Sequence, residues 1–348
     1  MSAIAERLLP WFDLHGRKHL PWQQDVDGYR VWLSEIMLQQ TQVATVVGYF
    51  ERFVASFPDA NALADAELDA VLQHWAGLGY YARARNLHRA AIQVRDQHDG
   101  RFPDQLDDLL ALPGVGRSTA GAILSLAFGQ RAPILDGNVK RVLARLYRVE
   151  GWPGRSATLK QLWQLADEQT PTGRCGAYNQ AMMDLGATLC RRANPDCAVC
   201  PLTDICQARS HGDQADFPRS KPKKPRPLKK TWMILCRAGD SVLMQRRPPV
   251  GIWGGLYSLP ELADLDQLEA WQQNHLGRTA SPQVVEENRL LHRFTHFDLE
   301  IALVGLELTE VPARDLVAED AGYAWVPTGR VADCATPTPV NRILREEL

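Results

Sequence analysis

Two carboxylates in this chain have the surroundings that acid–base chemistry on a glycosidic bond requires. Glu35 is the single acidic residue of Val31-Trp-Leu-Ser-Glu-Ile-Met-Leu-Gln-Gln-Thr-Gln42, which reads as an apolar helix. Burial disfavours a charged carboxyl, so Glu35 is expected to have a raised pKa and to keep a proton near neutral pH, as a general acid must. Gln39, one turn along on the same face, with Gln40 and Thr41 beside it, forms a polar strip that speaks against a plain surface glutamate. Asp136 stands in Pro133-Ile-Leu-Asp-Gly-Asn-Val-Lys140, immediately before another helical pattern. Helix capping alone would account for an aspartate there. The same helix N-terminus is also expected to lower its pKa and keep it anionic. An acid that holds its proton, paired with a fixed anion, suits bond cleavage through an oxocarbenium-like transition state.

A second constellation is Cys190-x6-Cys197-x2-Cys200-x5-Cys206, four of the chain's seven cysteines within 17 residues. An odd, crowded set does not read as a disulfide framework. Zinc and a [4Fe–4S] cluster both suit four cysteines, and the spacing alone does not choose between them. With no histidine or carboxylate among the ligands, the expected role is folding and docking, and Arg191 and Arg192 place cations beside the first cysteine.

Leu112-Pro-Gly-Val-Gly-Arg-Ser-Thr-Ala120 joins two helical patterns, one ending near Ala111 and one running to about Phe128. Gly114, Val115 and Gly116 would make the turn of a helix-hairpin-helix. The glycines permit positive φ and bring backbone N–H groups, with those of the next helix, up to a DNA phosphate. A glycine C-cap is the plainer reading of such a turn.

These residues need elements to hold them. At 348 residues the chain is long enough for two domains or three small ones. The front portion repeats apolar positions at helical spacing, as in Leu106, Leu109 and Leu110 or Val139, Val142, Leu143 and Leu146. Residues 217–230 carry seven basic residues, no acidic ones and four prolines, which predicts an extended linker able to lie along phosphate. Beyond it the text becomes β-like at Thr231–Cys236, Ser241–Gln245 and Phe297–Val304, with a helix at Leu265–Leu276, which together suggest an α+β domain. The net charge of −2 hides an asymmetry: residues 1–230 hold 29 Lys+Arg against 24 Asp+Glu, and residues 231–348 hold 10 against 17. A polyanion-facing front and a separate acidic module are expected. A charged N-terminus and the lack of an uncharged apolar run of about 18 residues point to a soluble, cytoplasmic chain without a membrane partner.

Taken in order, Leu-Ser-Glu-Ile-Met-Leu-Gln-Gln-Thr-Gln-Val43, Gly77-Leu-Gly-Tyr-Tyr-Ala-Arg-Ala-Arg-Asn-Leu87, Leu-Pro-Gly-Val-Gly116, Leu-Asp-Gly-Asn-Val-Lys-Arg141 and the cysteine loop resemble the adenine DNA glycosylases. The resemblance implies a mainly α N-terminal region, with a six-helix barrel at 26–132 and an iron–sulfur cluster domain formed by 1–25 and 133–216. A linker at 217–230 and a Nudix-like α+β domain at 231–348 would follow. It implies a [4Fe–4S] cluster on Cys190, Cys197, Cys200 and Cys206. By position Glu35 would protonate adenine at N7 and Asp136 would stabilise or trap the sugar cation, with Tyr80 against the sugar and Asn138 orienting water or the carboxylates. Leu20, Trp22 and Gln180 match the family's adenine pocket, and Gln39, Gln40 and Tyr80 match positions that probe the gap and the opposite base. The expected partner is duplex DNA with adenine opposite 8-oxoguanine or guanine, bound by a monomer, with repair proteins docking on the linker.

Two departures sharpen this. Endonuclease III-like relatives that also nick the backbone carry a nucleophilic lysine where this chain has Ser118, which cannot form the Schiff base; a monofunctional glycosylase is expected, with Lys140 a source of adventitious adducts only. Gly251-Ile-Trp-Gly-Gly-Leu-Tyr-Ser-Leu-Pro-Glu261 begins like a Nudix signature, but Glu269-Ala-Trp-Gln-Gln-Asn274 lacks the carboxylates that would hold magnesium, so pyrophosphate hydrolysis is not expected. Phe294-Thr295-His296 matches the family's 8-oxoguanine loop, with Thr295 where serine is frequent. The competing readings are a bifunctional pyrimidine glycosylase, a non-catalytic DNA-binding module and a nucleotide-pool hydrolase.

Overall fold

A computed structural model describes residues 2–221, 225–248, 251–277, 279–281, 283–312 and 322–348; residues 222–224 of the predicted linker lie outside the described residues. The chain divides into two compact units, Met1–Glu67 with Arg83–Lys223, and Leu68–Ala82 with Lys224–Leu348.

The first unit is helical. Its opening helices are α1 (Ala3–His15), α2 (Gly28–Leu38), α3 (Val43–Ser56) and α4 (Ala60–Asp65), and the next, α5 (Leu68–Trp75), falls within the second unit. There follow α6 (Ala82–Gln97), α7 (Leu106–Ala111), α8 (Arg117–Leu126), α9 (Gly137–Leu146), α10 (Ser156–Gln169), α11 (Cys175–Thr188) and α12 (Gln207–His211). Short polar side chains start several of them: Asp27 accepts from Arg30 N at 2.7 Å, Asp59 from Ala62 N at 2.8 Å and Asp136 from Val139 N at 2.7 Å. The end of α2 is closed by a distant cation, since Arg83 Nη1 donates to the carbonyls of Ile36, Met37 and Gln39 at 2.9, 2.9 and 2.7 Å. One core gathers Ile4, Leu8 and Phe12 of α1, Val139 and Leu143 of α9, Leu162 of α10 and Tyr178 and Met182 of α11.

Helix α11 crosses its neighbours at two glycines. A Cβ on Gly176 would lie 2.5 Å from the Ser125 carbonyl oxygen of α8, and one on Gly186 would lie 2.5 Å from Asn138 Cβ of α9. Next to the first crossing, buried Asn179 donates to Ser125 Oγ and to Ala132 O, both at 2.8 Å.

The second unit is built on a mixed sheet of β1 (Leu228–Ala238), β2 (Ser241–Arg246), β3 (Tyr257–Ser258), β4 (Glu261–Leu262), β5 (Gln283–Arg293), β6 (Asp298–Leu308) and β7 (Tyr323–Pro327). Its order is β3-β2-β1-β6-β5; β4 pairs with β1 and β7 with β2, and β1 and β6 are parallel. Alternation along β1 sends Met233 and Leu235 to one face, with Val340 and Ile343 of α14 (Thr338–Glu347), and Ile234 and Cys236 to the other, with Leu268 and Trp271 of α13 (Leu268–Leu276). Strand β1 starts earlier than the sequence predicts. Leu228, Lys229 and Lys230 run parallel to Asp298, Leu299 and Glu300, because beyond Pro227 every residue can donate its N–H to the ladder. Among the described residues no helix is long and apolar enough to cross a membrane.

Gly176→Ala is expected to cost about 1–3 kcal/mol, because the added methyl meets backbone and not a yielding side chain. Urea unfolding measures this, and an unchanged midpoint would show that α8 and α11 can separate freely.

Candidate active site

Within the first unit α1, α2, α8, α9 and α11 enclose a cavity of about 910 Å³. Glu35, Asp136, Asn138, Leu20, Trp22, Gln180, Gln39, Gln40 and Ser118, singled out from sequence, all line it. Trp22 is fixed edge-on against Phe50, with ring centroids 5.5 Å apart. Gln40 takes left-handed backbone, φ 59°, in the turn after α2.

Glu35 enters from α2 between buried neighbours Ser34 and Ile36. It keeps some accessible surface toward the cavity, yet protein encloses it on the other sides, and no hydrogen bond among the described residues reaches its carboxyl. Burial first, and the nearby Asp136 second, push its pKa up to about 8. Asp136 caps α9 and accepts from Val139 N at 2.7 Å and Asn138 Nδ2 at 3.1 Å. Those bonds pull its pKa down, but burial outweighs them and the net direction is upward. This corrects the expectation that the helix end holds Asp136 below its ordinary value: the lowering by the cap's hydrogen bonds is smaller than the raising by burial. The two carboxyls are nonetheless unequal. Hydrogen bonds favour the charge on Asp136 and nothing comparable favours it on Glu35, so a single proton shared by the pair resides on Glu35.

Several groups that sequence reasoning missed complete the walls. Arg141 Nη2 donates to Asn138 Oδ1 at 2.8 Å and to Gly186 O at 2.7 Å, while its Nε donates to Cys190 O at 2.7 Å. Asn138 is thereby oriented with its amide toward Asp136. Asp184 binds Arg17 and Gln180. The signal for Asp184 was its position one helical turn after Gln180; that for Arg141 was its place one turn into α9. Ser118 Oγ accepts from Leu135 N at 2.9 Å and so holds the segment leading into Asp136.

The hairpin between α7 and α8 has Gly114 at φ +81°, where a Cβ would also lie 3.0 Å from Asn86 Cβ. Gly116 differs from expectation. It is extended, φ −99°, because it is the N-cap of α8, and it supplies no side-chain cap to the first-turn N–H groups. Val115 between them is buried.

Cys190, Cys197, Cys200 and Cys206 line one small cavity together with Arg145 and Arg209. Among the described residues no three His, Cys, Asp or Glu side chains form a site for a single metal ion. Arg145, 2% exposed, fastens the loop by donating to the carbonyls of Arg191, Arg192, Gln214 and Phe217, and lies 3.3 Å from Cys190 Sγ. Burial and then the neighbouring cysteines push the Cys200 thiol up to about 11.

In the second unit Tyr80 occupies a turn with φ 48° and is half exposed. Phe294, Thr295 and His296 form the tip between β5 and β6, closed by Phe294 N donating to Phe297 O at 2.9 Å. Phe294 stacks on Phe297 at 4.6 Å between centroids and packs against Trp253 and His292, while Thr295 and His296 are exposed with Oγ1 and Nδ1 3.3 Å apart. Glu261 is paired with Arg247 at 2.6 Å.

Residues 33–168 match the HhH-GPD superfamily of base excision DNA repair proteins and residues 231–346 the NUDIX domain. The chain is 36% identical over 342 residues to an adenine DNA glycosylase of Buchnera aphidicola subsp. Acyrthosiphon pisum, covering 98% of this chain and 96% of the relative. It is 32% identical to an adenine DNA glycosylase of Homo sapiens, covering 99% of this chain and 74% of that one. Among solved structures a thermostable thymine-DNA glycosylase superposes with a TM-score of 0.53 at 27% identity, over 59% of this chain and 94% of that one. A non-covalent endonuclease III–DNA complex, 24% identical with a TM-score of 0.51 over 60% and 94%, shares the fold.

The Glu35 carboxyl should be visible in stability. Its folded-state pKa of about 8 lies above the ordinary 4.5, so its contribution is intact below pH 4.5 and is lost as pH rises toward 8. Glu35→Gln should therefore unfold like the parent near pH 4.5 and become more stable than it by roughly 2–4 kcal/mol at pH 8 and above. Thermal melts across that range check the sign, and parallel pH profiles for the two chains would refute it.

Proposed function

The chain belongs to the adenine DNA glycosylase family, and we propose that it hydrolyses the N-glycosidic bond of adenine opposite 8-oxoguanine or guanine in duplex DNA. The observation that carries this reading is the shared cavity of Glu35 and Asp136, with the proton favoured on one and the charge on the other. Adenine stacked in a duplex is out of reach, so the nucleotide must be extruded, and about 910 Å³ accommodates a nucleoside. Leu20, Trp22 and Gln180 would hold the base. Glu35 gives its proton to N7, and the C1′–N9 bond breaks with its electron pair leaving on adenine. Asp136 faces the sugar cation, and Asn138, fixed by Arg141, keeps that carboxylate oriented. Water then adds at C1′ and its proton returns to Glu35, leaving an abasic site. Tyr80 would stand against the sugar, and Gln39 and Gln40 would probe the gap beside the opposite base.

Ser118 supports a monofunctional enzyme. It has no amine to attack C1′, and its hydroxyl already accepts from Leu135 N. Lys140 would give adventitious adducts only. The N–H groups around Gly114, Val115 and Gly116 would grip a phosphate, and the exposed Thr295 and His296, backed by Phe294, would read the 8-oxoguanine.

Four cysteines around one cavity suit a metal centre, and membership of the family favours a [4Fe–4S] cluster there over zinc. Such a cluster would bridge the four half-buried cysteines of the loop and tie it together. On this reading residues 1–25 and 133–216 form the cluster domain, 26–132 the six-helix barrel, 217–230 the linker where repair proteins dock, and 231–348 the Nudix-like lesion reader of a cytoplasmic monomer.

A duplex with adenine opposite 8-oxoguanine should show an alkali-labile site at the adenine and no break without alkali, with Glu35→Gln slower by about 10²–10⁴-fold. An uncleaved adenine strand after alkali would overturn the proposal. The purified chain should also carry about four iron and four sulfide, and Cys200→Ser should lose both; one zinc per chain would favour the other metal.

A further inference from the structure

Asp184 lies in α11, one turn beyond Gln180, and is 1% exposed. Its carboxylate accepts from Arg17 N at 2.8 Å, Nε at 3.0 Å and Nη2 at 2.7 Å, and from Gln180 Nε2 at 3.0 Å. A glutamine amide has a donor end and an acceptor end and flips wherever nothing fixes it. Here the partner is the carboxylate of an ion pair with Arg17, and it offers only lone pairs. The Gln180 NH₂ must therefore point at Asp184. Its Oε1 is left for the cavity that Gln180 lines, with no hydrogen-bond partner there among the described residues.

Purines differ at the edge this oxygen would meet. Adenine presents the N7 acceptor beside an N6 amine donor, whereas guanine and hypoxanthine present N7 beside the O6 acceptor. A donor at Glu35 and an acceptor at Gln180 complement the first pattern and oppose lone pairs to the second. We propose that the buried Asp184–Arg17 pair is a positioning device that fixes the Gln180 amide with its oxygen toward the base and thereby selects a 6-amino over a 6-keto purine. This rests on the function proposed above. Asp184 does not touch the base; it decides which end of Gln180 does. The same network anchors the residues after α1 to α11, so Arg17, itself in the cavity wall, is held while it sets the charge that orients the amide.

The test uses the full chain and duplexes carrying non-cleavable 2′-fluoro nucleosides of adenine, purine (no 6-substituent) and hypoxanthine opposite 8-oxoguanine, so that affinity is read apart from leaving-group chemistry. The parent should bind in the order adenine, purine, hypoxanthine, since purine only leaves the oxygen unpaired and hypoxanthine opposes a second acceptor to it. Asp184→Asn, whose amide can pair with either end of Gln180, should narrow the adenine–hypoxanthine gap by roughly tenfold or more. Hypoxanthine bound as well as purine or better by the parent overturns the proposal, as does an unchanged gap in folded Asp184→Asn. If that variant does not fold, Asp184→Ser, whose hydroxyl can likewise pair with either end of Gln180, takes its place with the same two outcomes. A parent that excises no adenine from the cleavable duplex overturns the proposed function and this inference with it, whereas excision with the wrong order of affinities overturns this inference only.

Discussion

A carboxyl that keeps its proton at neutral pH must be deprived of water, and in this chain that requirement organises the first unit. Glu35 gains its raised pKa chiefly from burial, so the helices around it must close tightly on every side but the cavity, where room is left for a guest. The glycines of α11 permit the close crossings, and the Arg83 cap on α2 releases the chain into the Gln39–Thr41 turn without orphaning its last carbonyls. Asp136 lines the same cavity and is pushed up by the same burial, but the amide groups aimed at it pull the other way. Two identical functional groups thus acquire different character from hydrogen bonding, given that burial acts on both.

Much of this was legible in the sequence because it depends on local pattern. The lone glutamate in an apolar helix, the aspartate before α9 and the four-cysteine loop are each read within a dozen or so residues, and the structure brings the two carboxyls to one cavity. What escaped reading depends on residues distant in the chain. Arg17 and Asp184 are 167 positions apart, and nothing near either announces their pairing. The balance at Asp136 is illegible for a related reason: capping is visible in sequence, whereas desolvation is a property of the surroundings. Gly116 shows the limit of composition, since two glycines in one turn were credited with the same conformation and only Gly114 has positive φ.

The second unit has a Nudix-like frame that departs from the signature in one helix. Helix α13 turns Trp271, Gln272 and Leu276 to the interior, and the pattern that would carry metal-binding carboxylates carries glutamines instead. The exposed polar groups at the β5–β6 tip rest on a packed aromatic base of Phe294, Phe297, Trp253 and His292, which gives two small side chains a rigid mount. The linker boundary is legible from its prolines and its end is not, because Leu228–Lys230 pair with β6, some seventy residues away.

The crossing at Gly186 has a consequence for natural variation. The residue has no side chain, does not line the cavity and lies outside every motif that identifies the chain, so a survey that ranks positions by their chemistry would pass over it. Yet the room for its missing methyl is taken up by Asn138, whose amide orients Asp136. An inherited substitution there would act on the anion from behind, leaving all named participants intact in the sequence while displacing one of them in space.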